Sequence, residues 1–291
     1  MDSYRTPDEQ FDGLPGYDFE PRYFEQDGLR MHYLDEGSGP PVLLLHGEPT
    51  WSYLYRKIIP ELTPSARAIA PDYFGFGRSD KPLRVEDYSY DFHSASIARL
   101  VEELDLRDAT VVVQDWGGPI GLRLAVEHPD RIGRLVIMNT GIGGGRPPSE
   151  EWLRFRDWLR RLGTDVIPGK LVKISAVQPM SDEVEAAYSA PWPVPESKAA
   201  ILAFPDLVPI SPDHPDLPAH QAVREQLSRW EKPALVLFSD SDPIFSPRHA
   251  ERIAAHIPGA LDPETVQNAG HFLQEDQGEV VGRRIAQFVA S

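Results

Sequence analysis

Five short apolar runs, Val42–Leu45, Ala66–Ala70, Thr110–Val113, Leu135–Met138 and Ala234–Phe238, recur along the chain with helix-length segments between them. Each run closes on a turn containing Gly, Asp or Asn. Each is too short for a buried helix and too continuously apolar for a half-exposed strand, which leaves a strand covered on both faces. Helical patterns fill the intervals at about 52–62, 91–104, 117–128, 248–256 and 277–289. Strands alternating with helices in this way predict an α/β fold with a mostly parallel central sheet flanked by helices. Ahead of them, Arg22–Phe24, an Asp27-Gly28 turn and Leu29–Leu34 read as a hairpin.

The alternation stops between about 141 and 215. A glycine-rich exit, Gly141 to Pro148, leads into the aromatic and basic helix pattern EEWLRFRDWLRRL, then a proline-rich stretch around APWPVPE. No strong strand pattern occurs there. The expected organisation is a main domain of 1–140 and 216–291, with 141–215 inserted as a helical cap over the C-terminal edge of the sheet. Ligands of open α/β sheets bind at that edge, so a cap would wall off a pocket.

Composition narrows the function. The formal net charge is −16, from 45 acidic and 29 basic side chains. Such a surface repels phosphate backbones and anionic lipid, so neither nucleic acid nor a membrane is an expected partner. Strongly anionic substrates are disfavoured too, unless a local basic pocket reverses the field. The chain has no cysteine, which excludes disulfides, thiolate metal sites and a cysteine nucleophile. The polar, acidic start MDSYRTPDEQFDGLPGYDF has no signal-peptide pattern, and no apolar stretch reaches membrane-spanning length. A cytoplasmic monomer is expected. Nothing resembles a metal-ligand cluster or a phosphate loop, so no cofactor is implied.

The sharpest local feature is VVVQDWGGPIGLRLAVEHP at 111–129. A strand runs into Asp115, turns at Gly117-Gly118 and starts a helix at once. This is a nucleophile elbow with a carboxylate at its apex instead of the usual serine. An N-capping aspartate fits the same residues equally well. HGEPTWSYLYRKIIP follows the strand VLLL, where the Glu48 and Trp116 amides would together hold an oxyanion. VLFSDSDPIFSP offers Asp240 and Asp242 at a strand end, and NAGHFLQED places His271 in a loop before the last helix. Nine histidines are present, and most lone histidines are not catalytic. His271 stands out because its loop and its position after the nucleophile and the acid agree with the α/β-hydrolase order.

Together, HGEPTWSYLYRK, PDYFGFGRSDKP, VVVQDWGG, SDSDPIFSP and NAGHFLQED resemble the haloalkane dehalogenases, in the subfamily with nucleophile, acid and histidine in that order. The resemblance spans roughly 15–140 and 230–290 and is looser in the cap. It implies the α/β-hydrolase fold, a small apolar halogenated substrate, a halide product and no cofactor. It also implies a two-step reaction. Asp115 displaces halide to give an alkyl ester, and His271, supported by Asp242 rather than Asp240, activates the water that cleaves it. For the halide it implies two tryptophan N–H donors, Trp116 and a cap residue. Phe155-Arg156-Asp157-Trp158 matches the family's aromatic-x-x-Trp and points to Trp158, with Trp152 as runner-up. Phe155, Phe204, Pro205 and Val208 are expected in the pocket wall.

Two departures stand out. Val113 replaces glycine two residues before the nucleophile, so a looser elbow than in esterases is expected, and the entry to the cap is short. The nearest rival is epoxide hydrolysis, which resembles this pattern but needs a pair of cap tyrosines. Of ten tyrosines only Tyr188 falls in the cap. A catalytically silent or luciferase-like member of the fold shares the three catalytic residues and is the rival from another class.

Overall fold

The computed structural model describes residues 1–143 and 148–291. Its strands are β1 (Ser3–Tyr4), β2 (Arg22–Gln26), β3 (Leu29–Gly37), β4 (Pro41–Leu45), β5 (Arg67–Pro71), β6 (Lys81–Pro82), β7 (Ala109–Gln114), β8 (Ile132–Met138), β9 (Ala234–Ser239) and β10 (Glu264–Val266). Its α-helices are α1 (Ile59–Leu62), α2 (Tyr90–Glu103), α3 (Gly117–Glu127), α4 (Glu150–Leu162), α5 (Pro168–Ser175), α6 (Asp182–Ser189), α7 (Ala199–Leu207), α8 (Leu217–Leu227), α9 (Pro247–His256), α10 (Leu273–Asp276) and α11 (Gly278–Val289).

Eight strands form one sheet in the order β10-β9-β8-β7-β4-β5-β3-β2, and β1 pairs with β6 separately. From β10 to β5 every neighbouring pair is parallel. The hairpin β2–β3 adds an antiparallel edge against β5. Its two-residue turn has Asp27 at φ 52° and Gly28 at φ 79°, the left-handed pair whose twist matches flanking strands. All six residues of β7 and of β9 are buried, as strands covered on both faces must be. The five apolar runs are therefore β4, β5, β7, β8 and β9.

The helix expected at about 52–62 is broken. Ser52–Tyr55 form a single 3-10 turn and α1 starts only at Ile59. Pro60 has no N–H to donate to the Arg56 carbonyl, so an α-helix cannot run through this stretch. Burial of Trp51, Tyr53 and Tyr55 on several sides is served instead by the tighter turn.

Between β8 and β9 the described residues hold helices and no strand. Residues 144–147 of the expected glycine-rich exit lie outside the described residues. The helices cover the C-terminal edge of the sheet. Trp192 Nε1 donates to the Gly75 carbonyl at 2.9 Å, the Phe204 ring meets Trp116 at 5.1 Å, and the His271 N–H donates to the Ser175 carbonyl at 3.0 Å. Helix α8 returns to pack on α3. Among the described residues no helix is long and apolar enough to cross a membrane.

Helix α3 lies directly on the sheet at Gly121. A Cβ there would stand 2.5 Å from Val113 Cγ1 and 2.8 Å from Leu45 Cδ1. Alanine normally gains about 1 kcal/mol over glycine inside a helix, whereas overpacking a core costs about 1–3 kcal/mol. Gly121→Ala should therefore destabilise the fold by up to about 2 kcal/mol in urea denaturation. A raised midpoint would show that α3 can lift from the sheet freely.

Candidate active site

The site begins at the end of β7. Asp115 sits at φ 50°, a left-handed conformation that costs a non-glycine residue roughly 1–2 kcal/mol. Its backbone is held on both sides. Its N–H donates to the Asn139 carbonyl at 3.1 Å, and its own carbonyl accepts from Thr140 Oγ1 at 2.6 Å and the Gly118 N–H at 2.9 Å. The turn closes only because its neighbours lack side chains. A Cβ on Gly117 would lie 2.2 Å from the Leu45 carbonyl oxygen, and one on Gly47 would lie 2.4 Å from Asp115 Cβ. The elbow is thus tight despite Val113. The close approach comes from Gly117 and Gly121, and Val113 packs beneath α3.

The Asp115 carboxylate faces two different groups. Oδ1 accepts the Glu48 N–H at 2.9 Å, and Oδ2 lies 3.5 Å from His271 Nε2. Trp116 is the N-cap of α3, so its N–H has no intrahelical acceptor. The other imidazole nitrogen, Nδ1, donates to Asp242 Oδ2 at 2.8 Å. Asp242 is itself fixed, because its Oδ1 accepts the Ile244 and Phe245 amides at 2.7 and 3.1 Å. Asp240 takes no part. Its carboxylate accepts the Asn268 and Ala269 amides at 2.9 and 3.2 Å, shaping the loop that leads to His271.

Burial by itself disfavours the charged form of His271. The Asp242 carboxylate, then Asp115, outweigh it and hold the imidazolium up to about 10. The resting site is a buried cation between two carboxylates. Glu48 behaves oppositely. Burial, reinforced by the nearby Asp115 charge, pushes its carboxyl well above the usual range, and its Oε1 has no partner among the described residues.

Four residues that the sequence did not single out fasten the histidine loop. Asn139 Nδ2 donates to the Gly270 and His271 carbonyls at 3.1 and 3.0 Å, and Gln114 Nε2 donates to the His271 carbonyl at 3.2 Å. Asp276 accepts the Gly270 N–H at 2.7 Å and the Gln178 N–H at 2.8 Å, joining the loop to the end of α5. Glu275 receives Arg56 in a two-point contact at 2.7 and 2.9 Å, Lys57 at 2.9 Å and the Tyr188 hydroxyl at 2.6 Å. Gln114 and Asn139 did leave a trace, as polar residues closing otherwise apolar strands.

Two cavities share Asp115 and Trp116 in their linings, one of about 180 Å³ and one of about 790 Å³. Phe155, Pro205 and Val208 line the smaller one, together with Glu48 and His271. Phe204 does not. It is fully buried behind Trp116, wedged against Phe76 and His93 at ring distances of 5.0 and 4.7 Å. Nor does Trp158 line either cavity, whereas Trp152 lines both. Six residues further along α4, Trp158 is turned about 240° from Trp152 and rests against Phe155 instead. The indole N–H groups of Trp116 and Trp152 have no acceptor among the described residues. No tyrosine lines either cavity.

Comparison with known proteins agrees with this geometry. Residues 40–166 match the family model of the alpha/beta hydrolase fold. A haloalkane dehalogenase of Mycolicibacterium paratuberculosis is 46% identical over 98% of this chain and 97% of its own length. Another, from Psychrobacter cryohalolentis, is 45% identical over 99% and 98%. The tetrameric haloalkane dehalogenase DpaA from Paraglaciecola agarilytica superposes with a TM-score of 0.92 at 34% identity, covering 98% of this chain and 97% of that one. With its sheet, its elbow and its full length matched in this way, the chain belongs to the haloalkane dehalogenase family.

Proposed function

We propose that the chain hydrolyses haloalkanes to an alcohol, a halide ion and a proton through an alkyl ester on Asp115. One observation carries this assignment: a carboxylate at the elbow apex, with His271 Nε2 3.5 Å away, opens onto an apolar cavity. In the first step Oδ2, the oxygen with no amide bond, attacks the carbon bearing halogen. The C–O bond forms as the carbon–halogen bond breaks, and the pair of electrons leaves with the halide. An anionic nucleophile suits displacement at alkyl carbon, and the resulting ester remains hydrolysable. Trp116 and Trp152 serve as the halide donors, since each brings an indole N–H and no competing acceptor to the cavity. In this assignment residues 141–215 act as the cap that supplies Trp152, Phe155, Pro205 and Val208.

Esterification removes the Asp115 charge, and with it part of what keeps His271 protonated. The imidazolium then releases its proton to solvent, which is the proton counted among the products. With Nδ1–H held by Asp242, neutral Nε2 takes a proton from water, which attacks the ester carbonyl. Charge developing on Oδ1 meets the Glu48 amide and the adjacent Trp116 amide, and the alcohol departs. Every group named comes from one chain, so a monomer suffices for the chemistry, although DpaA is tetrameric. Epoxide opening lacks its acid here. Tyr188 is buried and its hydroxyl is bonded to Glu275.

Bromide release from 1-bromobutane and 1,2-dibromoethane, without diol from styrene oxide, is the expected outcome; diol without bromide would overturn the assignment. Asp115→Ala should abolish release, and His271→Phe should stop after the ester, visible as an alkyl-enzyme by intact mass. Trp152→Phe should weaken bromide binding about 10- to 100-fold, the equivalent of one hydrogen bond to a charged group. Trp158→Phe should change it little, and the reverse order in a bromide titration would restore Trp158 as the donor.

The charge coupling has its own signature. The folded His271 value, about 10, lies above its ordinary 6.5, so its contribution to stability is complete below pH 6.5 and is lost as pH rises through 10. Asp115→Asn, which removes the charge as the ester does, should lower the His271 titration seen by NMR and flatten that loss in denaturation. An unchanged titration would show that Asp115 does not hold the proton.

A further inference from the structure

The larger cavity has a charge pattern opposite to that of the protein. The chain carries −16, yet among the described residues lining this cavity the only carboxylate is Asp115. Helices α8 and α9 supply part of its wall. His220 and Arg224 stand one turn apart on α8, and Arg252 and His256 one turn apart on α9. His256 Nε2 donates to the Arg224 carbonyl at 2.8 Å, fixing the two helices to each other at this wall.

Neither Arg224 nor Arg252 has a carboxylate partner among the described residues, although most arginines of this acidic chain do. His220 is 3% exposed and stacks on Tyr90 at 4.2 Å, its Nε2 has no partner among the described residues, and burial lowers its imidazole to about 4, so the positive charge here comes from the arginines. The same lining carries the apolar side chains of Val208, Ile210, Ile244, Phe245 and Ile253. The lining therefore combines the nucleophile and two tryptophans, hydrocarbon side chains and two arginines. At about 790 Å³ it is over four times the volume of the smaller cavity, far more than a short haloalkane needs.

We infer that the larger cavity takes substrates with a halogenated carbon at one end and a carboxylate at the other, the carboxylate held by Arg224 and Arg252. This rests on the dehalogenase assignment and extends it to a substrate class, ω-haloalkanoates. The alkyl chain lies along the apolar wall, and the two guanidinium groups supply fork-shaped donors that match a carboxylate. The basic end reverses locally the repulsion that a net charge of −16 imposes on an anion. The chemistry at Asp115 is unchanged: halide leaves, and the ω-hydroxy acid is released after ester hydrolysis.

The test compares a series of ω-bromoalkanoates with 1-bromoalkanes of equal chain length, by bromide release. The expected result is that kcat/KM for the acid overtakes that for the neutral compound once the chain can span the cavity. The advantage should shrink in about 0.5 M salt, where screening acts over only a few ångströms. In an R224E/R252E double variant the acid-to-neutral ratio should fall at least ~10-fold, since each exposed ion pair contributes little but reversal also adds repulsion. Unhalogenated alkanoates of the same length should inhibit the wild-type enzyme competitively, which needs no variant to fold. Bromide from the neutral series, with acids slower at every length and no inhibition by alkanoates, would overturn this inference and leave the dehalogenase assignment standing. A change in bromide affinity alone in the double variant would reassign the basic end to the free halide. Bromide from neither series would overturn the assignment and the inference together.

Discussion

A protonated imidazole buried between two carboxylates is costly to assemble, and much of this structure exists to hold it. Desolvation alone would drive the proton from His271, so the site works only if Asp242 and Asp115 stay within a few ångströms in fixed orientations. Asp242 is immobilised by the two amides that follow it. Asp115 is immobilised by a strained turn whose neighbours are glycines because no other residue leaves room. The strain of one left-handed residue, on the order of 1–2 kcal/mol, is small beside the cost of an unpaired buried charge. The fold therefore accepts strain at the elbow to keep the charges paired.

The same requirement explains why so many bonds converge on the histidine loop. In the proposed reaction Asp115 becomes a neutral ester and one of the two partners of His271 disappears, so the imidazole must be held by other contacts. The loop carbonyls are gripped by Asn139 and Gln114 from the sheet, and its amides by Asp276. The His271 and Gln178 amides also tie the loop to α5 and the chain after it. Glu275 extends the anchorage to Arg56 and Lys57 and to Tyr188 on α6. The arginine, first after burial, lowers that carboxyl to about 2, so the network stays ionised across the working range. Helices over the sheet edge and the base loop are thus joined by charge-assisted bonds, and displacement of one strains the other.

What the sequence revealed follows from which forces are local. Parallel strands buried on both faces leave continuous apolar runs, and β4, β5, β7, β8 and β9 were legible for that reason. The elbow was legible because its steric demand falls on adjacent residues, Asp115, Gly117 and Gly118. The helix that periodicity predicts over about 52–62 fails at Pro60, where the missing N–H outweighs the apolar pattern. Trp152 and Trp158 could not be ranked from spacing alone, because the face of α4 that meets the cavity depends on how α4 docks against residues far along the chain. Phe204 was misplaced for the same reason: its ring supports Trp116 from behind. The Glu275 contacts join residues more than 80 positions apart and leave no sequence pattern.

Net charge shows the same division between local and global information. A count of −16 describes the mean field far from the surface and argues against anionic ligands there. Within a Debye length, about 8–10 Å at ordinary ionic strength, the arrangement of nearby side chains decides instead. Helix α8 contributes Arg224 and His220 to the wall of the larger cavity and helix α9 contributes Arg252, His249 and His256, and among the described lining residues the one carboxylate is Asp115. Of the two cavities described, only the larger has arginines in its lining, and the proposed preference for an anionic substrate rests on that local composition, not on the mean charge.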